Sequence, residues 1–151
     1  MECHRICRKA HRALDGEGAR LYGGRWNSPG QPVVYASTTL ALAALEYLIH
    51  LDSSEAPLDL MAIRIAIPDD VAISDVRLRT LPARWHRYPA PDACRAVGDA
   101  WLAARKTAVL RVPAAPVPEE WNVLLNPRHP EFHRIRQVAA RRFHFDQRLI
   151  K

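Results

Sequence analysis

Long apolar runs are missing from this chain. None approaches the roughly 18 residues needed to span a bilayer, so no membrane association is expected. The opening residues, MECHRICRKAH, are charged and lack the apolar centre of a signal peptide, which makes the cytoplasm the expected compartment. Cysteine is scarce: Cys3, Cys7 and Cys94 are an odd, sparse set that argues against a disulfide framework. Zinc is a poor fit as well. Cys3, His4, Cys7 and His11 match none of the usual paired-ligand spacings, and strand alternation would turn His4 away from the cysteines. There is no GK[ST] phosphate loop and no GxGxxG after a strand, so the common nucleotide-binding fingerprints are absent. No repeat or low-complexity tract breaks the sequence.

What is present suits one folded domain. The chain has 151 residues, 48% of them hydrophobic, enough for a sizeable core and too many for wholesale disorder. Its formal net charge of +6 favours an anionic partner: a nucleotide, a nucleic acid or an acidic protein. Positive charge gathers near the end, at Arg128, Arg134, Arg136, Arg141, Arg142, Arg148 and Lys151. A solvated basic face explains such a run without further function.

The pattern of residues predicts mixed secondary structure. His4–Arg8 reads as a first strand and Asp15–Gly24 as loop. Leu58–Ile67 alternates as a strand, with Met61, Ile63, Ile65 and Ile67 on one face, until Pro68 stops it. Val71–Asp75 is a candidate short strand, and Leu81–Pro91 an ordered loop. Asp92 is a candidate cap for a helix to Arg105 that turns Val97, Trp101 and Leu102 inward. Ala108–Val112 reads as a strand ended by Pro113. Asn122–Leu125 is strand or extended chain, and Asn126-Pro127 begins a turn. Phe132, Ile135 and Val138 have helical spacing and predict a helix over Pro130–Ala140, followed by a closing strand at Phe143–Leu149. Helices and strands mix without strict alternation, so the expected class is α+β in one domain.

One stretch, Gly23 to Leu51, sets a cation, an aromatic hydroxyl and a carboxylate on consecutive elements. Arg25 lies among Gly23, Gly24, Pro29 and Gly30 in a turn-rich segment. Tyr35 follows Val33 and Val34 on a short strand. Glu46 lies on a helix from Ala41 to Leu51, capped by Thr38 or Thr39. On a helical wheel Leu42, Leu45 and Ile49 form the inward stripe, and Glu46 falls about 100° from its centre, at the boundary of core and solvent.

GGRWNSPGQPVVYAS, followed by ALAALE, resembles the signature of the RES domain, the toxin half of RES–Xre toxin–antitoxin pairs. GEGARLYGGRWN at 16–27, WNVLLNPRHPEF at 121–132, FDQRL at 145–149 and RIC near the start extend the similarity over 1–151. The resemblance implies a mixed, split β-sheet core with flanking helices, related to ADP-ribosyltransferases. It also implies an activity that depletes NAD, with NAD as substrate and no further cofactor. An Xre-like DNA-binding antitoxin that blocks the site and a tendency to homodimerise come with it; direct nucleic-acid binding does not.

Cleaving the nicotinamide–ribose bond creates an oxocarbenium-like centre, which a carboxylate stabilises. A guanidinium grips a pyrophosphate, and an aromatic ring stacks on a flat heterocycle. The resemblance therefore assigns these roles to Glu46, Arg25 and Tyr35, with Arg5 on the first strand as a secondary NAD contact and Trp26 at the edge of the site. The ADP-ribose acceptor is left open among water, phosphate and a protein. Ala114 departs from the family, because a serine is expected after Pro113. Its absence leaves one alternative to an active toxin, an attenuated or inactive family member kept for binding; the arginine-rich end with Phe143 and Phe145 leaves another, a basic nucleic-acid-binding module.

Overall fold

In a computed structural model the chain is described over residues 1–52 and 56–150. Seven strands alternate irregularly with three helices: β1 Glu2–Arg8, α1 Glu17–Tyr22, β2 Val34–Ser37, α2 Leu40–Ile49, β3 Leu60–Ala66, β4 Ile73–Asp75, α3 Asp92–Ala104, β5 Val109–Pro113, β6 Trp121–Leu125 and β7 Arg136–Arg142. The expected α+β class holds. All seven strands join one mixed sheet in the order β4-β5-β6-β2-β1-β3-β7. β4 and β5 run parallel, with α3 as the crossover, and the other neighbours run antiparallel.

The sheet is weakest at its middle. β1 pairs with β3 from Glu2–Ala66 to Arg8–Leu60, whereas β1 and β2 share the single register position His4–Ser37. The expected split is therefore a joint of one pair between two well-laddered halves.

Side-chain alternation sorts the core into layers. One face carries Cys3, Cys7, Val34, Ala36, Ile63, Ile65, Val123 and Leu125, covered by Leu14, Phe132 and Ile135. The other face meets both long helices. α3 covers β5 and β6 through Trp101, Leu102, Leu110, Val112 and Leu124. α2 covers β1 and β3 through Ala43 against Ile6 and Leu60. Between the parts of that face covered by α2 and α3 lie β2 and the joint, the interhelical groove. Among the described residues no helix is long and apolar enough to cross a membrane, and no group of three His, Cys, Asp or Glu is placed to hold a metal ion.

Several local expectations are corrected. The loop expected at 15–24 contains α1. Thr39 caps α2 by accepting from the Leu42 amide, but the buried face is Leu42 and Ala43, while Leu45 is 36% and Ile49 55% exposed. Asp92 is not the cap of α3: Pro91 occupies that position, and Asp92 pairs with Arg95 in the first turn. The helix expected at 130–140 is a 3-10 turn, Pro130–Arg134, running into strand β7. The expected closing strand is irregular chain ending in a 3-10 turn at Gln147–Leu149, with Phe143 and Phe145 packed edge to face at 5.0 Å.

Candidate active site

β2 is the ruler of the candidate site. Val34 and Ala36 point into one core layer, so Tyr35 and Ser37 share the opposite face, beneath the groove. Two residues along a strand separate them by about 6.6 Å.

Tyr35 organises the glycine-rich turn. Its hydroxyl donates to Asn27 Oδ1 at 2.7 Å and accepts from the Trp26 amide at 3.1 Å. Asn27 is fully buried, and its Nδ2 donates to the carbonyls of Ala19, Ser28 and Gln31. A Cβ on Gly24 would lie 2.7 Å from the Tyr35 hydroxyl, so only glycine admits the ring here. Burial pushes the Tyr35 phenol above its ordinary value, opposed by the hydrogen bond from the Trp26 amide. The hydroxyl is thus a neutral structural pin that sets the backbone beside Arg25.

Arg25 is half-buried and anchored. Its Nη1 donates to the Trp85 carbonyl at 2.6 Å and the Arg87 carbonyl at 2.9 Å. The expectation of a guanidinium loose among glycines is therefore corrected: Arg25 ties its turn to the 82–90 segment. The same guanidinium lies against the Cys94 thiol, whose rise through burial it opposes.

Glu46 reaches from α2 to the sheet. Asn122 Nδ2 donates to Glu46 Oε1 at 2.5 Å, and the Ser37 hydroxyl donates to Asn122 Oδ1 at 2.8 Å. Asn122 stands opposite Ser37 in the β2–β6 ladder, which brings the two side chains together on the groove face. The half-buried position expected for Glu46 is observed.

The remaining candidates lie elsewhere. Trp26 does not rim the site: its ring is 2% exposed, in the core 6.2 Å from the Trp85 ring. Arg5 alternates with Cys3 and Cys7 on the far face of the sheet, where its Nη1 donates to the Ala13 carbonyl at 3.1 Å. The sheet separates Arg5 from Glu46. Ala114 is fully buried, just past β5, with its amide bonded to the Glu120 carbonyl. Pro113 faces Trp121 in register, so Ala114 lies at the Asn122 end of the groove.

Sequence reasoning missed Asn27 and Asn122. Both asparagines follow a tryptophan, at Trp26-Asn27 and Trp121-Asn122, inside the two longest matching blocks; that was the available signal.

Comparison with known proteins agrees with this architecture. The sequence model of the RES domain family matches residues 2–146. A protein named Prs ADP-ribosylating toxin, from Sphingobium sp., is 39% identical over 141 residues, covering 91% of this chain and 87% of its own. A protein named Toxin Res, from Photorhabdus laumondii, is 40% identical over 141 residues, covering 92% and 89%. Among solved structures, the M. tuberculosis MbcT–MbcA toxin–antitoxin complex contains a chain of the same fold, with a TM-score of 0.79 at 21% identity over 94% of this chain and 83% of that one.

Proposed function

This chain belongs to the RES domain family, and from that premise we propose that it is the toxin of a toxin–antitoxin pair and acts by breaking NAD at the nicotinamide–ribose bond. The observation that carries the reading is the Glu46 carboxylate, fixed by Asn122 over the groove face of β2.

In this reading Arg25 holds the pyrophosphate, through charge-assisted hydrogen bonds. The N-glycosidic bond breaks with its electron pair leaving on the nicotinamide nitrogen, which discharges the pyridinium. Positive charge then gathers at C1′ and the ring oxygen of the ribose. Glu46 faces that charge, and its preorganised position means little reorganisation at the moment of reaction. A nucleophile closes on C1′ and releases its proton to solvent. Water would give ADP-ribose, phosphate would give its 1″-phosphate, and a protein side chain would become ADP-ribosylated. The Sphingobium relative's name makes the protein acceptor a necessary arm of any assay.

The partner in this proposal is an Xre-like DNA-binding antitoxin that covers the groove, and the toxin itself is a homodimer in the cytoplasm. Light scattering of the isolated chain and of the co-expressed pair measures both stoichiometries.

The test is NAD consumption by purified protein, with products resolved by mass. Glu46→Gln keeps the side-chain shape and removes the charge, so turnover should vanish while the melting temperature stays near the wild type's. Unchanged turnover in that variant removes Glu46 from the chemistry.

A further inference from the structure

Glu46 lies on a surface helix, where a carboxylate ordinarily samples several rotamers. Here one oxygen is held by an amide, and that amide is itself held. Ser37 is 3% exposed, and its hydroxyl donates to Asn122 Oδ1. The amide has two chemically different ends, an acceptor and a donor. With the acceptor end occupied by the Ser37 proton, the donor end must face Glu46. We propose that Ser37 and Asn122 form a positioning relay that orients the Glu46 carboxylate toward the groove. Both are positioning residues: Ser37 is too buried to touch substrate and acts only through Asn122.

The relay spans three elements. Ser37 ends β2, Asn122 lies in β6 and Glu46 in α2, and 85 residues separate Ser37 from Asn122. The two strands it links are paired at that position, whereas β2 meets β1 through His4–Ser37 alone. The relay thus starts at the joint residue and ties the carboxylate, carried by α2 over β1 and β3, to β6 in the other half of the sheet. The relay also bears on the residue after Pro113. Glu46 receives its donor from Asn122 whether or not position 114 carries a hydroxyl, so Ala114 does not leave the carboxylate unsupported.

This inference rests on the proposed NAD chemistry for its kinetic readout, and has a second readout that does not. In the proton–nitrogen NMR spectrum, the Asn122 Nδ2 protons should be separated by the short bond to a carboxylate. That separation should collapse in Glu46→Gln and in Ser37→Ala, and return in Ser37→Thr, which keeps the hydroxyl. Kinetically, Asn122→Ala and Ser37→Ala should each lower kcat about 10- to 100-fold with little change in KM, the size typical of removing an outer-shell hydrogen-bond partner. Ser37→Ala on the Asn122→Ala background should cost nothing further, because one residue acts through the other. Additive losses, or an Asn122 amide signal indifferent to Ser37 and Glu46, would overturn the relay. Turnover that survives Glu46→Gln would overturn the NAD reading, while the amide signal still decides the relay.

Discussion

Gly98 is the sharpest mechanical test of how the glycine-rich turn is seated. A Cβ built at Gly98 would lie 1.6 Å from the Trp26 carbonyl oxygen and 2.7 Å from its carbon, so α3 and the 23–27 turn meet backbone to backbone. Ordinary carbon–oxygen contact needs more than 3 Å, so Gly98→Ala must push the two apart by well over 1 Å. In an exposed helix interior the same exchange would stabilise by about 1 kcal/mol. Overpacking typically costs about 1–3 kcal/mol, and a backbone obstacle places this site at the upper end. The expected net effect is a loss of about 2 kcal/mol, or roughly 4–8 °C in melting temperature for a domain of this size. Gly18, in α1, supplies the control, because a Cβ there meets nothing within 4 Å. Gly18→Ala should raise stability where Gly98→Ala lowers it. Urea unfolding of both variants gives the two signs. A Gly98→Ala protein at least as stable as the wild type would refute the close approach and, with it, the seating of Arg25.

Arg25→Ala should lose stability as well as NAD affinity, because two carbonyls lose a charged donor worth about 1.5–3 kcal/mol; thermal melting and calorimetric titration with NAD separate the two effects. Ala114→Ser should raise NAD turnover if the hydroxyl is limiting, and should lower the melting temperature by introducing a polar group at a fully buried position; turnover equal to the wild type's would show that the hydroxyl is not limiting. Asp75 is held below the usual carboxylate range, first by its hydrogen bonds from Arg111. A depressed folded-state value stabilises above the unfolded pKa and is lost as pH falls through the folded one, so Asp75→Asn should destabilise at neutral pH and converge with the wild type once the pH has fallen through that depressed value. Melting curves from pH 7 to pH 2 follow that convergence.

Legibility from sequence tracked how one-sided each element is. β3 sends Ile63 and Ile65 into one layer, joined by Ile67 just past its end, so period-2 alternation located it. β7 is exposed at every residue and shows no alternation; its neighbourhood instead offered Phe132, Ile135 and Val138, whose helical spacing arises from a 3-10 turn followed by a strand. α2 is apolar nearly all round, so a wheel had no clear centre, and burial by Ile6 and Leu60 chose Ala43 over Leu45. In the candidate site, Arg25, Tyr35 and Glu46 are neighbours in sequence, so local pattern alone proposes them. Asn122 joins Glu46 across 76 residues, a contact that strand pairing creates and local pattern does not encode. Arg5 shares its strand face with Cys3 and Cys7, in the layer away from Glu46, a placement that register decides and local pattern does not show.

The two borders of the sheet also bear on self-association. An unpaired strand offers hydrogen-bonding groups to any other strand that drifts past, and two copies meeting there would zip together without limit. β4 blunts one border by being three residues long. β7 is seven residues long and guards the other with charge instead: Arg136, Arg141 and Arg142 are all exposed. Two such borders aligned antiparallel would set arginine against arginine and repel. The arginines of β7 thus disfavour edge-to-edge pairing at that border.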